Sequence, residues 1–273
     1  MQKIISKFFI LLFVLYLSCE NKTIRDKEGL IVYQENQISW VRNFEPLNPV
    51  SIPRWPTRGG IYESLYLNNP ITTDWVPWLA TNYKWENNNK KLLFTIRPNV
   101  QWSDGKPFSA HDVAYTLNLW NQYPALDTRN AWEYLKSVVA VSDTLVQIDF
   151  KRIYVPGFEA IAGAPIIPKH IWKELEDPLD FSNPDPVGTG PFTEILRFNT
   201  QVWELGKNHN YWQKGKPYVE KLIFPTFSTN EQTTLALLSG KLDWAGAFIP
   251  AIQRIFVDKD PEHHHYWLSL IHI

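Results

Sequence analysis

A serine, a histidine and two aspartates fall within the twelve residues Trp102–Val113, WSDGKPFSAHDV. These are the residue types of a nucleophile, a base and an orienting acid, and the chemistry they would serve is hydrolysis. Their spacing argues for something else. Asp104-Gly105 is a strong turn signal. Ser109 stands three residues before Asp112 at the start of an apolar-periodic run, which reads as a capping box with Asp in place of the usual Glu. Asp112 in the first turn would also meet the positive end of the helix dipole. His111 and Asp112 are neighbours on that helix, pointing about 100° apart, so they cannot pair with each other. No G-x-S-x-G elbow occurs in the chain. The stretch predicts a turn and a helix start rather than a reactive centre.

Other clusters weigh the same way. His263–His265 could suggest a metal, but adjacent residues of an extended chain point to opposite faces, and two ligands make no structural zinc site. Glu174 and Glu176 diverge on a helix and, beside Lys173 and Asp177, read as a solvated face rather than a glycosidase pair. No metal and no cofactor is expected. Basic and acidic residues balance at 27 and 28, with no Lys/Arg cluster, which excludes an electrostatic nucleic-acid binder. Aromatics are abundant, with 13 Trp, 12 Tyr and 15 Phe. Most are expected in the core, and the remainder could line a cleft.

Around these residues the pattern predicts a chain of short elements. Leu30–Gln34 reads as a first strand, followed by a long loop over 36–58 with four prolines. Residues 59–67, GGIYESLYL, are expected to form a short helix. Lys91–Pro98 is a strand ended by proline, and 110–122 is a helix with Val113, Leu117 and Trp120 at helical spacing. Residues 138–150 form a hairpin turning at Ser142-Asp143, and 168–176 a helix with Pro168 at its first position. Residues 185–192 are turn, and 219–227 are strand. The stretch from 230 is the clearest helix: Asn230 as cap, Leu235 and Leu238 as apolar face, Gly240 as stop. A strand over Leu242–Ala245 completes a βαβ unit, whose crossover should be right-handed.

The N-terminus reads as a targeting segment. Lys3 and Lys7 precede the apolar run Phe8–Leu17, which is the length of a signal core and too short for a membrane span. Cys19, the only cysteine, follows it directly and is expected to be the acylated residue of a lipoprotein. Tyr16 stands where such sites usually have Leu. Residues 20–29 are polar and read as a tether.

Several motifs, in order, resemble one family. LLFTIRPNVQWSDGKPFSAHDVAYTLNLW, PKHIW, NPDPVGTGPF, NHNYWQKGKPYVEKLIF and LALLSGKLDWAG look like the landmarks of family 5 solute-binding proteins, the oligopeptide and dipeptide receptors of ABC importers. The resemblance covers roughly Leu30 to Trp267. It implies an α/β, periplasmic-binding-protein-like lobe of the class II type, with a mixed sheet, flanking helices and an inserted α+β subdomain. Family members run to about twice this length, so only the first lobe is expected here and the second is absent. The expected division is 1–19 signal peptide, 20–29 tether, 30–60 and 166–262 main lobe, 61–165 inserted subdomain, and 263–273 a crossover whose end, LSLIHI, looks foreign.

The resemblance further implies a non-enzymatic, extracytoplasmic receptor that acts as a monomer and delivers its ligand to ABC permease subunits, touching the membrane only through its anchor. Short peptides are the family's default ligand. Oligosaccharides are the rival, because DWAGAFIP resembles sugar-binding members and Trp is abundant. A secreted glycoside hydrolase is the alternative of another class, and would need two acids about 5–10 Å apart in a cleft. In open α/β sheets ligands sit beyond the carboxyl ends of the strands. That rule selects Trp40, Asn43 and Phe44 after the first strand, and Trp244 and Phe248 after the last, as ligand-binding residues.

Overall fold

The computed structural model describes residues 29–47, 56, 59–69 and 71–266. The signal segment, Cys19, the tether up to residue 28 and the tail from 267 lie outside the described residues. In chain order the elements are β1 (Gly29–Tyr33), β2 (Tyr66–Asn68), β3 (Trp75–Pro77), β4 (Ala80–Glu86), β5 (Lys91–Ile96), α1 (Ala110–Gln122), β6 (Leu135–Ser142) and β7 (Leu145–Phe150). They continue with α2 (Gly157–Ala162), α3 (Lys169–Trp172), β8 (Phe192–Phe198), β9 (Val202–Lys207), β10 (Lys221–Pro225), α4 (Asn230–Leu238), β11 (Trp244–Ala245) and α5 (Ile252–Ile255).

Two larger sheets organise these elements. The antiparallel sheet β4-β5-β7-β6 comes from residues 80–150. Its inward face alternates as a half-buried strand must, with Leu92, Phe94 and Ile96 on β5 and Val146, Ile148 and Phe150 on β7. The expected hairpin joins β6 to β7, and α1 covers the face with Ala110, Val113, Leu117 and Trp120. The second sheet, β11-β1-β10-β9-β8, is mixed: β1 runs parallel to both β10 and β11, and β8–β10 are antiparallel. One of its faces carries Phe44, Phe192, Trp203, Leu205 and Phe224; the other packs Tyr33 against Ala236, Leu237, Leu242 and Ile249. The expected βαβ unit is β10-α4-β11, and it passes over β1, so a parallel strand lies between its two strands.

Four local expectations are corrected. Residues 59–67 are not a helix but a turn at Gly60, φ +89°, and an extended strap. The strap's carbonyls are claimed by separate segments: Gly60 and Ile61 accept from Phe192 and Gly190, Glu63 from Ile166, and Leu65 from Trp78 and Ala80. A helix would turn those carbonyls onto itself and leave the neighbouring N–H groups buried without partners. The helix expected over 168–176 stops at Trp172, with Pro168 as its extended N-cap. Glu174 and Leu175 then bond three residues back, and that tightened last turn ends the helix.

On α4 the cap is Thr229, whose hydroxyl accepts from the Gln232 amide at 3.3 Å, in place of Asn230. Its buried stripe is Thr233, Ala236 and Leu237, while Leu235 is 69% exposed. The sequence offers Leu at 235, 237 and 238, so two stripes compete. The one facing Tyr33, Leu242 and Ile249 is selected because it closes a core, and Thr233 is tolerated there because its hydroxyl bonds back to the Thr229 carbonyl.

Candidate ligand-binding site

The chemical constellation of residues 102–113 is structural. Ser109 is the N-cap of α1: its Oγ accepts from the His111 amide at 3.2 Å, and the Asp112 carboxylate accepts from the Ser109 amide at 2.9 Å, completing the expected capping box. The second Asp112 oxygen accepts from the Lys169 amide at 3.0 Å and thereby ties α1 to α3. Burial raises the Asp112 pKa, and the Ser109 and Lys169 amides pull it back. His111 stands on the surface, 3.4 Å from Asp143, and His170 bonds Asp104 at 2.8 Å.

The other motifs converge on the same junction. Ser103 donates its amide to the Gly188 carbonyl, and Asn210 donates to the Ser103 carbonyl. A Cβ on Gly188 would fall 2.0 Å from the Ile61 carbonyl oxygen, and one on Gly190 2.1 Å from that of Gly60. Glycine at both positions lets GTGPF lie against the 59–67 strap. Beside it, Glu63 is a buried carboxylate that accepts from Trp78 Nε1 at 2.6 Å, Tyr211 Oη at 3.0 Å and Trp212 Nε1 at 3.0 Å. Burial nevertheless holds its pKa above the ordinary carboxylate value. Arg97 covers the Trp212 ring at 4.5 Å and donates to the Trp78 carbonyl. This hub joins residues up to 149 positions apart, and no local pattern announces it.

The carboxyl ends of β1, β10 and β11 point to one edge of the mixed sheet, where the chain makes a rim. The Gln37 amide bonds the Phe227 carbonyl, the Trp40 amide the Thr200 carbonyl, and the Gly246 amide the Tyr33 carbonyl. Asn36 accepts from the Tyr33 hydroxyl and reaches Asn230 at the start of α4. The loop after β1, the β8–β9 turn, the start of α4 and the end of β11 therefore meet at one place.

The five residues picked from the sequence divide there. Trp40 is 5% exposed: its Nε1 donates to the Phe224 carbonyl at 3.1 Å and its ring stands edge-on to Trp203. Phe44 is fully buried against Trp203 and Phe198. Both build the core beneath the rim. Asn43 is half-buried, and its side-chain oxygen accepts from the Glu45 amide. Trp244 is 38% exposed and Phe248 66% exposed. Trp244 pairs in register with Val32, which packs on the Trp40 core, so the two tryptophans lie on the same side of the sheet.

One cavity was not anticipated from the sequence. A cavity of about 380 Å³ lies between Pro46, Tyr62, the end of α1 at Trp120, and Arg129. Arg129 donates to the Glu159 carbonyl, and Asp127 caps the amides of Ala131 and Trp132, so its charged groups are already engaged by the backbone.

A mixed sheet with an antiparallel sheet inserted between its first and later strands, and a rim of loops at the strand carboxyl ends, make up the architecture. The chain belongs to the bacterial extracellular solute-binding proteins of family 5, whose middle-region model matches residues 74–269. It is 28% identical over 220 residues to the nickel-binding periplasmic protein of Escherichia coli K12, covering 75% of this chain and 40% of that one. It is 26% identical over 189 residues to the oligopeptide-binding protein OppA of Bacillus subtilis, covering 62% and 34%. Among solved structures, a periplasmic oligopeptide-binding protein of Thermotoga maritima with bound mannohexaose is similar at TM-score 0.77 and 26% identity, over 86% of this chain and 44% of that one. The chain thus spans less than half the length of these relatives.

Proposed function

We propose that this chain is the solute-capturing part of an ABC importer, acting outside the cytoplasmic membrane and handing its ligand to the permease subunits without chemistry of its own. The observation that carries the reading is the family 5 fold with exposed aromatics and uncharged amides gathered at the strand carboxyl ends. Such a surface holds a solute and offers it no activated nucleophile. Residues 30–60 and 166–262 act as the main lobe and 61–165 as an inserted subdomain. That division is supported by the separate sheets and by the large core beneath the antiparallel one. A facing lobe of the kind that the longer relatives have room for would close over the rim. Cys19 serves as the lipid anchor, the receptor works as a monomer, and neither cofactor nor metal takes part.

Short peptides are the first ligand reading, supported by the relatives named for oligopeptides. An oligosaccharide is the second, supported by the mannohexaose in the Thermotoga maritima structure. Thermal unfolding with a panel of di- to pentapeptides and neutral oligosaccharides tests both. A ligand at 100 times its Kd adds about 2.7 kcal/mol by mass action and raises Tm by several degrees. With the facing lobe present in the protein tested, a Tm that no member of either panel moves would overturn the receptor reading.

A further inference from the structure

The end of the β8–β9 hairpin away from the rim borders a cavity of about 400 Å³. The rim lies at the other end, where the Trp40 amide bonds the Thr200 carbonyl in the β8–β9 turn. β8 is 7 residues long, about 20 Å at ~3.3 Å per residue, and its length separates the two places.

The register of β8 on β9 slips at the cavity. Phe192 pairs with Lys207 and Glu194 with Gly206, which leaves Thr193 as the extra residue of a bulge. A bulge re-aims side chains that strict alternation would send elsewhere, and here both Thr193 and Glu194 border the cavity. Thr193 is 6% exposed, and its side chain has no hydrogen-bond partner among the described residues. Its hydroxyl is not one of the unpartnered side-chain atoms sealed from solvent, so the access it retains is through the cavity it lines. A hydroxyl taken so far from water without a partner costs free energy, and a ligand here would supply that partner.

The other polar groups sort into engaged donors and open acceptors. Asn208 Nδ2 donates to the Gly190 carbonyl at 2.8 Å, Asn210 Nδ2 to the Ser103 carbonyl at 3.0 Å, and Lys207 is paired with Glu220 at 3.1 Å. Asn210 Oδ1 and the Thr193 hydroxyl remain as acceptors, and Glu194 has no ion pair among the described residues. Asp104 and Asp185 border the same cavity, bonded to His170 at 2.8 Å and to Arg42 at 2.5 Å. Three carboxylates against one paired lysine give the cavity a negative field. Among the described residues no three His, Cys, Asp or Glu side chains converge as a directly bound metal ion requires. Val187 and Ile195, both half-buried, add an apolar wall. An acceptor-lined, negative cavity with one apolar wall matches an ammonium group on a short alkyl chain.

We propose that this cavity is a second binding site, for a short aliphatic amine: Glu194 is the countercharge of the ammonium group, Thr193 and Asn210 accept its hydrogen bonds, and Val187 and Ile195 cover its methylene groups. The site is separate from the rim and does not depend on which solute the rim holds.

The test titrates the ¹⁵N-labelled full chain with n-butylamine and with 1-butanol, which are alike in shape and differ in charge. Butylamine shifts the amide resonances of Thr193, Glu194 and Asn210 saturably, and butanol leaves them in place. Glu194→Gln, at an exposed position and nearly unchanged in shape, weakens butylamine binding at least about tenfold, the loss expected of a charge-assisted bond. Thr193→Val weakens it about fivefold, the loss of one hydrogen bond. High salt weakens binding to the natural chain, because the attraction of the exposed Glu194 is screened. Equal shifts with butanol overturn the choice of a cation, and unchanged affinity in Glu194→Gln overturns the countercharge. A butylamine response confined to Asn36, Gln37 and Trp244 at the rim, or a response nowhere, rejects the site.

Discussion

Replacing Glu63 by Gln probes the junction on which the rim rests. The carboxylate offers two oxygens to three donors, Trp78 Nε1 and Tyr211 Oη on one and Trp212 Nε1 on the other. A Gln amide has a single acceptor oxygen, so its NH₂ group must face one of the indole N–H groups. One buried donor left unpaired costs about 1–3 kcal/mol. The two surviving bonds lose their charge assistance, which costs about 1 kcal/mol each. Burial outweighs the three donors in setting the Glu63 pKa, so relief of the buried charge offsets the lost charge assistance, and the unpaired donor's cost of about 1–3 kcal/mol is the upper bound at neutral pH.

The pH dependence fixes the sign. The Glu63 pKa is raised above 4.5 in the folded state by burial. Its contribution to stability is therefore complete below the unfolded value and is lost as pH rises through the folded value. The advantage of the natural protein over Glu63→Gln should be largest at the acidic end of that window and smaller at neutral pH. Urea unfolding of both proteins between pH 4 and pH 7.5, at unchanged m-value, measures it. A difference that grows with pH would show that the three donors, rather than burial, set the titration. A difference near zero throughout would show that the carboxylate is not their shared acceptor.

Three other outcomes follow from the structure. Gly188→Ala places a methyl group 2.0 Å from the Ile61 carbonyl, so it should destabilise by more than the ~1–3 kcal/mol usual for overpacking or abolish soluble expression. Normal unfolding would mean that the strap moves freely. On α4, Leu237→Ala should cost about 2–5 kcal/mol and Leu235→Ala within about 0.5 kcal/mol; chemical denaturation that reverses this order would reject the buried stripe. Cys19→Ser should release the protein from the membrane fraction, since an acyl chain gains ~0.8 kcal/mol per buried CH₂, and unchanged fractionation would reject the anchor.

What could be read in the sequence were the features set by a few neighbouring residues. The limits of α1 and its cap at Ser109 were legible because capping box and apolar period lie within one stretch of chain. β5, the β6–β7 hairpin and the turn over 185–192 were legible for the same reason. β4 escaped notice because ATNYKWE is largely exposed and lacks a clean alternation. The helix expected over 59–67 failed because the strap's partners come from distant segments, Trp78 and Ala80 for Leu65, and Ile166, Gly190 and Phe192 for Glu63, Ile61 and Gly60.

The site follows the same division. That the strand ends would hold it came from topology, but which of its aromatics face solvent did not. Trp40 and Trp244 are the same residue type after comparable strands, yet one seals the core over Phe224 and the other is exposed at the sheet edge. Burial is decided by what packs from elsewhere in the chain: β9 and β10 come across Trp40, whereas β11 ends the order of its sheet. Capping and turn formation are short-range and are written where they act, whereas burial and the sharing of one carboxylate by three distant donors exist only once the chain has closed.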